Sequence, residues 1–353
     1  MSEHKKVLLG MSGGVDSSVA AVLLKKAGYE VIGVTLSLCP QGSCCNFESY
    51  MDAKKICDIL GIEHFILEAT GEFKKYVIDD FVEEYKNCAT PNPCIQCNKY
   101  LKFGVMAEKA KSLGIDYIAT GHYAISAYSQ KYDRYVLKKS KNIAKDQSYV
   151  LYTIPKEMIK KMLFPLGEFK SKDQIREIAK KHDLPVASKP DSEDICFVPD
   201  GDYKTFLENN SDIQKKPGNI VDKNGNILGK HEGLYRYTIG QRKGLGISNA
   251  VPLFVTGYDK EKNELIVGEE KELYSREFFV KDVNLLAIDS IEKPMRVRIK
   301  TRYTAKDAVA VIMQMENGII KVLLDDPQRA ITKGQSAVFY DEDGVVIGGG
   351  III

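Results

Sequence analysis

The hydrophobic pattern changes period partway along the chain. In the first part, short apolar runs alternate with stretches whose apolar residues recur every three or four positions. Val7–Leu9, Val31–Leu36, His64–Leu67 and Tyr117–Thr120 predict strands, and Ser17–Lys26, Ser49–Leu60, Phe73–Lys86 and Asn98–Leu113 predict helices between them. Such alternation implies an α/β fold with a doubly wound, mostly parallel sheet, whose ligands sit at the carboxyl ends of the strands. A further helix opens at Ser171, where Ser171 and Gln174 form a capping-box pattern, and runs to His182. Around Lys215–Gly218 the texture changes. Turn signals then appear at Asn224-Gly225, Glu316-Asn317-Gly318 and Asp341-Glu342-Asp343-Gly344. Val309–Met313 and Ile319–Leu324 flank the second, and Ala337–Tyr340 and Val345–Ile347 the third, so the C-terminal part reads as an antiparallel β-barrel. The expected units are 1–208, a small β-rich linker domain over 209–275, and the barrel over 276–353.

A chain of 353 residues can hold two or three such cores, and 44% hydrophobic with 28% charged residues is ordinary for a globular protein. No apolar run reaches membrane-spanning length, and the charged Met1–Lys6 leads into a run too short and glycine-rich for a signal peptide. The expectation is a cytoplasmic protein with no membrane partner. A net charge of +2 gives a nucleic-acid partner no support. Two basic clusters, Lys138, Lys139, Lys141 and Lys145 near Arg134, and Lys300, Arg302 and Lys306, read on their own as solvated faces.

Chemistry enters at Gly10-Met11-Ser12-Gly13-Gly14-Val15-Asp16-Ser17, the junction of the first strand and first helix. A glycine-rich turn there stacks backbone N–H groups at a helix N-terminus, a setting that holds pyrophosphate-like anions. It is not a Walker A loop, since no Lys-Ser/Thr pair follows the glycines. Ser-Gly-Gly-x-Asp-Ser instead resembles the loop of ATP pyrophosphatases, which cleave ATP between the α and β phosphates to adenylate a substrate.

Eight cysteines in a cytoplasmic chain suggest thiol or metal chemistry rather than a disulfide framework. Cys94-Ile95-Gln96-Cys97 follows Pro91-Asn92-Pro93 and stands at a helix start, where the dipole and Lys99 and Lys102 would lower thiol pKa values. In such a proline-bounded loop these two thiols fit a core role poorly. Cys196, in the polar Ser192–Phe197 segment, is expected on an exposed loop. Cys57 reads as a buried small hydrophobe, and Cys88 can be the same. Cys39, Cys44 and Cys45 read as incidental exposed thiols.

Taken together, the glycine loop, Pro91-Asn92-Pro93…Cys97-Asn98-Lys99…Lys102-Phe103 and Ala119-Thr120-Gly121-His122-Tyr123 resemble the tRNA-specific 2-thiouridylases. Lys145-Asp146-Gln147-Ser148-Tyr149, Ser192–Phe197, Thr238–Ile247, Thr301-Arg302-Tyr303 and Gly334–Tyr340 continue the match over nearly the whole chain, in the family's order. The resemblance implies ATP-dependent 2-thiolation of the wobble uridine of tRNAs for Lys, Glu and Gln through an adenylated uridine. Gly10, Met11, Ser12, Gly13, Gly14, Val15, Asp16 and Ser17 would bind ATP, with Asp16 close to Mg2+ and with Leu36 and Gly121 at adenosine-contacting positions. Cys196 would accept sulfur as a persulfide and Cys97 would be its partner nucleophile, with a disulfide between them in one state. Asn92, Pro93 and Cys94 would face the target base, which a flipped nucleotide would bring into the pocket. His122, Lys145, Asp146, Gln147, Arg302, Tyr303 and Gln335 would touch the tRNA. The implied sulfur donor is a cysteine desulfurase or a relay protein.

One position departs from the family pattern. An acidic residue is expected after Pro-Asn-Pro, and this chain has Cys94. The change removes the expected general acid/base and sets a Cys-x-x-Cys pair against Cys196. Three cysteines can hold a four-iron four-sulfur cluster with one iron open, so a cluster at Cys94, Cys97 and Cys196 is the alternative route for sulfur. Other classes also stay open: an ATP- and tRNA-binding protein without thiolation, a metal-storing cysteine protein, and an amide-forming ATP pyrophosphatase.

Overall fold

A computed structural model describes residues 5–38, 47–190, 195–198 and 201–353. Cys39, Cys44, Cys45 and Ser192–Asp194 lie outside the described residues. The N-terminal part is built on β1 (Lys6–Gly10), α1 (Val15–Lys26), β2 (Glu30–Ser37), α2 (Phe47–Leu60), β3 (Glu63–Glu68), β4 (Tyr117–Ala119) and a short β7 (Met162–Leu163). The strands lie in the order β3-β2-β1-β4-β7 and every pair is parallel. Alternation along β1 assigns its side chains to two cores. Val7 and Leu9 pack with α1 and the helix Lys172–Lys181, while Leu8 packs with Phe103 and Met106 of the continuous helix over 93–112. Both faces are therefore covered, as a parallel sheet requires. The predicted capping box is present: Ser171 Oγ accepts from Gln174 N, and the Gln174 side chain accepts from Ser171 N.

Between β4 and β7 the chain inserts a hairpin, β5 (Ala124–Ser129) with β6 (Arg134–Lys139), which the sequence pattern did not predict. Farther on, β8 (Gly218–Val221), β9 (Ile227–His231), β10 (Phe254–Asp259) and β11 (Glu264–Gly268) make a small sheet ordered β10-β11-β8-β9. The remaining strands are β12 (Tyr274–Leu285), β13 (Met295–Lys300), β14 (Ala308–Gln314), β15 (Ile320–Arg329), β16 (Ser336–Tyr340) and β17 (Val346–Ile352). They close an antiparallel barrel in the order β12-β15-β14-β13-β16-β17. Asn317 and Gly318 turn β14 into β15 with positive φ, as the Asn-Gly signal requires. Among the described residues no helix is long and apolar enough to cross a membrane.

Within the first basic cluster Lys141 stays exposed as expected, but Arg134, Lys138 and Lys139 are engaged with the barrel unit. Arg134 makes a two-pronged ion pair with Asp289 of the barrel unit at 3.0 and 2.9 Å, and Lys156 reaches the same carboxylate at 2.6 Å. Lys139 pairs with Asp307 and lies 4.1 Å over the Tyr340 ring, while Lys138 bridges Val345 through its backbone. Sequence reading missed this because the acidic partners come from far along the chain. Beneath the ion pairs lies a buried seam: Tyr149 Oη donates to Ser336 O at 2.8 Å, Tyr152 Oη shares a bond with Ser336 Oγ at 3.0 Å, and Ser148 Oγ one with Tyr340 Oη at 3.2 Å. Replacing Tyr149 with Phe keeps the ring and strips the Ser336 carbonyl of this buried donor. The expected cost is about 1–3 kcal/mol of stability, read as a lower denaturant midpoint in an equilibrium unfolding titration.

Candidate active site

The glycine-rich loop leaves the carboxyl end of β1 and enters α1 at Gly14, which caps the helix in extended geometry. The hydroxyls brace it. Ser18 Oγ donates to Gly14 O at 2.7 Å and Ser17 Oγ to the same carbonyl at 3.2 Å, while Ser12 N donates to Ser17 Oγ at 3.2 Å. Gly13 has φ +69, and a Cβ there would stand 2.5 Å from Ser49 O, so only glycine fits. The turn after β4 closes on the same point. A Cβ on Gly121 would lie 2.8 Å from Ser17 N and 2.9 Å from Asp16 C. The Met11 and Val15 side chains are buried beneath the loop, and Leu36 sits partly buried at the end of β2. The loop and the Gly121 turn thus share one edge of the sheet.

Asp16 is not a lone carboxylate. Lys172 Nζ reaches both of its oxygens at 2.7 Å, and Tyr123 Oη donates to Oδ1 at 2.7 Å. A second ammonium, Lys189 Nζ, lies 2.7 Å from Asp52 Oδ2 and 3.4 Å from Gly13 O. Sequence reasoning missed both lysines. One signal was available: Lys172 opens a helix, where the dipole disfavours a cation unless an anion faces it.

The cysteines gather at the start of the helix over 93–112. Pro93 occupies its first turn, and Asn92 Oδ1 accepts from Cys94 N at 3.2 Å. Cys94 is exposed but closely surrounded. Burial of its sulfur by neighbouring atoms pushes the thiol up, Cys196 adds repulsion, and Lys102 opposes the shift. This reverses the expected lowering by the helix dipole, because desolvation is the larger effect. Cys97 also departs from expectation: it is buried on the helix among Phe81, Leu101 and Phe197. Cys196 is half-buried against the same apolar cluster rather than fully exposed, because Phe197 and Val198 anchor its segment. Cys57 is fully buried as expected, whereas Cys88 is half-exposed with φ +57.

His122 lies behind this mouth. Its Nε2 faces Lys102 Nζ at 3.5 Å and its Nδ1 lies 2.7 Å from Thr120 Oγ1. An ammonium can only donate, so Nε2 accepts and the ring proton sits on Nδ1. Burial and Lys102 hold the imidazole well below its ordinary pKa, hence neutral. Tyr303 is partly exposed, and its ring lies 6.1 Å from that of the buried Tyr149.

Other expected RNA contacts are engaged within the protein. Asp146 is buried and accepts from Ser140 N at 2.9 Å and Ser148 Oγ at 2.8 Å, and burial pushes its carboxyl up. Gln147 Oε1 accepts from Tyr123 N at 2.9 Å, with Lys145 half-exposed on the adjoining short helix. Arg302 donates to Ala330 O at 2.8 Å and to Thr332 Oγ1, and Gln335 Nε2 donates to Thr90 O at 2.7 Å.

A parallel sheet with a glycine-loop edge, a small β linker and a closed barrel define a three-part class of protein. Family models match each part: a "tRNA methyl transferase HUP domain" over residues 5–200, a "tRNA methyl transferase PRC-barrel domain" over 204–269 and an "Aminomethyltransferase beta-barrel domain" over 275–352. The chain is 52% identical over 357 aligned residues to the tRNA-specific 2-thiouridylase MnmA of Acetivibrio thermocellus, covering 99% of each chain. It is 49% identical to tRNA-specific 2-thiouridylase MnmA 2 of Caldanaerobacter subterraneus, covering 100% of this chain and 99% of that one. The protein belongs to the tRNA-specific 2-thiouridylase family.

Two outcomes follow from this geometry. Gly121→Ala drives a methyl into the α1 backbone, so ATP affinity should fall by at least about tenfold, measured by calorimetric titration, while far-ultraviolet circular dichroism stays native. Alkylation of Cys94, followed by peptide mass mapping, should rise with pH to a midpoint above that of a free thiol, since its raised pKa keeps it protonated at neutral pH. Lys102→Met should move that midpoint higher still.

Proposed function

We propose that this protein is an ATP-dependent tRNA-uridine 2-sulfurtransferase acting on the wobble uridine of tRNAs for Lys, Glu and Gln. The observation that carries the reading is that Cys97 and Cys196 share one apolar cluster, with Cys94 one helical turn from Cys97, in a chain whose first strand ends in the glycine-rich loop. Residues 1–208 are read as the catalytic unit, with 209–275 and 276–353 gripping the RNA. The methyl-transfer wording of the family models finds no counterpart in this reading, which follows the full-length relatives.

A uracil carbonyl oxygen is a poor leaving group, so O2 first attacks the α phosphate of ATP and pyrophosphate departs. Backbone N–H groups at the start of α1 face that triphosphate, with Lys172 and Lys189 as countercharges. Asp16 is the carboxylate suited to Mg2+, which would balance phosphate charge when ATP is bound. A Cys196 persulfide then attacks C2 through its terminal sulfur and AMP leaves. The Cys97 thiolate attacks Cys196 Sγ, breaking the S–S bond and leaving the sulfur on the base as a thiocarbonyl. A Cys97–Cys196 disulfide results, and a dithiol reductant restores both thiols. The persulfide itself comes from a cysteine desulfurase or relay protein.

The iron–sulfur route draws support from the proximity of Cys94 to Cys196. Among the described residues, however, no group of three or more His, Cys, Asp or Glu side chains is placed to hold a metal ion. Cys97 is packed into the apolar cluster, so the residues as they stand do not fit a cluster and no step is drawn through one.

With purified protein, a desulfurase and tRNA, the expected result is tRNA-dependent AMP release and 2-thiouridine in digested RNA. Cys97→Ser and Cys196→Ser should each abolish thiouridine and spare ATP and tRNA binding. An ATP- and tRNA-binding protein would release no AMP, and an amide-forming pyrophosphatase would keep its activity in both variants. Cys94→Asp separates the two sulfur routes: retained thiolation favours the persulfide, loss the cluster. Lys172→Met should raise the KM for ATP about 10- to 100-fold, the worth of one charge-assisted phosphate contact.

A further inference from the structure

The segment leading into the cysteines is held by the barrel, whereas the helix after it is held by its own domain through Gln96–Asp80 and Asn98–Val150. After the helix over 70–86, the chain reverses at Cys88, which adopts φ +57, and Ala89 N donates back to Glu84 O at 2.9 Å. It then runs through Thr90-Pro91-Asn92-Pro93 into the cysteine helix. Pro91 and Pro93 have no N–H, which leaves the stretch few means of bonding to its own domain. Asn92 accepts locally from Ile95 N and Cys94 N, and the bonds of Thr90 cross to the barrel. Thr90 N donates to Lys333 O at 2.9 Å, and Thr90 O accepts from Gln335 Nε2 at 2.7 Å.

The barrel turn that makes this grip is itself tightly held. Thr332 is buried, donates to Ala330 O at 2.9 Å and receives the Arg302 guanidinium. Gly334 N donates to Ile352 O at 3.0 Å, and Ile352 N to Gln335 O at 2.8 Å, which registers the turn on β17. Gly334 has φ +84, and a Cβ there would stand 2.8 Å from Ala89 Cβ and 2.9 Å from Thr90 N. No side chain fits between turn and segment.

We propose that the barrel turn over 332–335 is a positioning element for the thiolation site. It sets the height of the segment bearing Cys94 and Cys97, and through Gln335 it couples RNA seated on the barrel to those thiols. Gln335 Nε2 carries two N–H groups, so one can hold Thr90 O while the other meets an RNA acceptor. An RNA contact that moves the amide therefore moves or strains the Thr90 bond and shifts the cysteine segment with it. Gln335 is on this account a positioning residue, acting through Thr90. The consequence for thiolation rests on the proposed function, but the mechanical coupling does not.

The test uses the full-length protein with Gln335→Ala and the size-matched Gln335→Glu, which cannot donate to Thr90 O. Without RNA, iodoacetamide labelling of Cys94 should change about fivefold, as expected for loss of one hydrogen bond that opposes local opening. In the wild-type protein, an anticodon stem-loop should alter amide exchange over residues 89–97. At saturating tRNA, single-turnover thiolation should fall in both variants, beyond any change in tRNA affinity. Unchanged RNA-free labelling with weakened tRNA binding alone would make Gln335 an ordinary RNA contact and overturn the proposal. If the wild-type protein forms no thiouridine, the proposed function fails, and labelling and exchange still decide the coupling. If the Ala variant does not fold, the Glu variant and the wild-type exchange experiment carry the decision.

Discussion

Asp16 is the point on which the catalytic edge depends. Its carboxylate receives Lys172 from the helix after the sheet's last strand and Tyr123 from the turn after β4. Gln147 in turn fixes the Tyr123 backbone by accepting from its N–H and donating to its carbonyl. One charge therefore ties together three connections far apart in sequence. A half-buried carboxylate with no cation would carry a large desolvation penalty, and Lys172, with its side chain only 14% exposed, offsets it. The same carboxylate and ammonium are the pair that the proposed function assigns to magnesium and phosphate, so one contact serves both the loop's packing and the proposed chemistry.

The second constraint is the docking of the barrel. Its buried tyrosine–serine seam lies under a rim of ion pairs, so the apolar and hydrogen-bonded contacts carry stability while the rim fixes orientation. Rim pairs such as Lys156–Asp289 are well exposed and individually weak. Glycines at 348–350 let β17 come close to its neighbours; a Cβ on Gly349 would meet the Tyr152 ring at 2.9 Å. The barrel is thereby a structural wall of the site.

Much of this was legible in the sequence. Period-two and period-3.6 patterning located the parallel strands and their helices, because each face of that sheet is a continuous apolar layer. Asn-Gly and Asp-x-x-Gly turns located the barrel hairpins, since φ > 0 restricts the residues allowed there. The β5–β6 hairpin escaped because its exposed Tyr128 and Tyr135 and its lysines blur the alternation. Gly121 was readable as a site residue only through the family motif, and the geometry supplies its reason: a backbone-to-backbone approach that spacing alone does not reveal. Lys172 and Lys189 belong to no motif, and their meaning comes from folding onto a loop more than 150 residues upstream. The thiols were misjudged for a related reason. Sequence places Cys94 at a helix start and predicts an acidified thiol, but the surrounding atoms come from Lys102, Cys196 and the barrel side, and their desolvation outweighs the dipole.

That reversal bears on the absent acid beside Pro-Asn-Pro. A thiol with a raised pKa stays protonated at neutral pH, so Cys94 can donate a weak hydrogen bond at the target base but is a poor base. His122 is held neutral by burial, with a smaller push from the same Lys102 that opposes the rise at Cys94. Burial thus sets the protonation of both neighbours, and Lys102 reinforces it at His122 and opposes it at Cys94. The site holds one cation, one neutral imidazole with its proton on Nδ1, and one protonated thiol. This combination suits a reaction in which negative charge builds on the uracil as sulfur adds at C2. Electrostatic stabilisation of that charge by Lys102 asks for no carboxylate, and a carboxylate beside it would neutralise the cation on which the stabilisation depends. In the proposed reaction, Cys94 would therefore move the site away from proton transfer by an acidic side chain and toward charge stabilisation by a lysine.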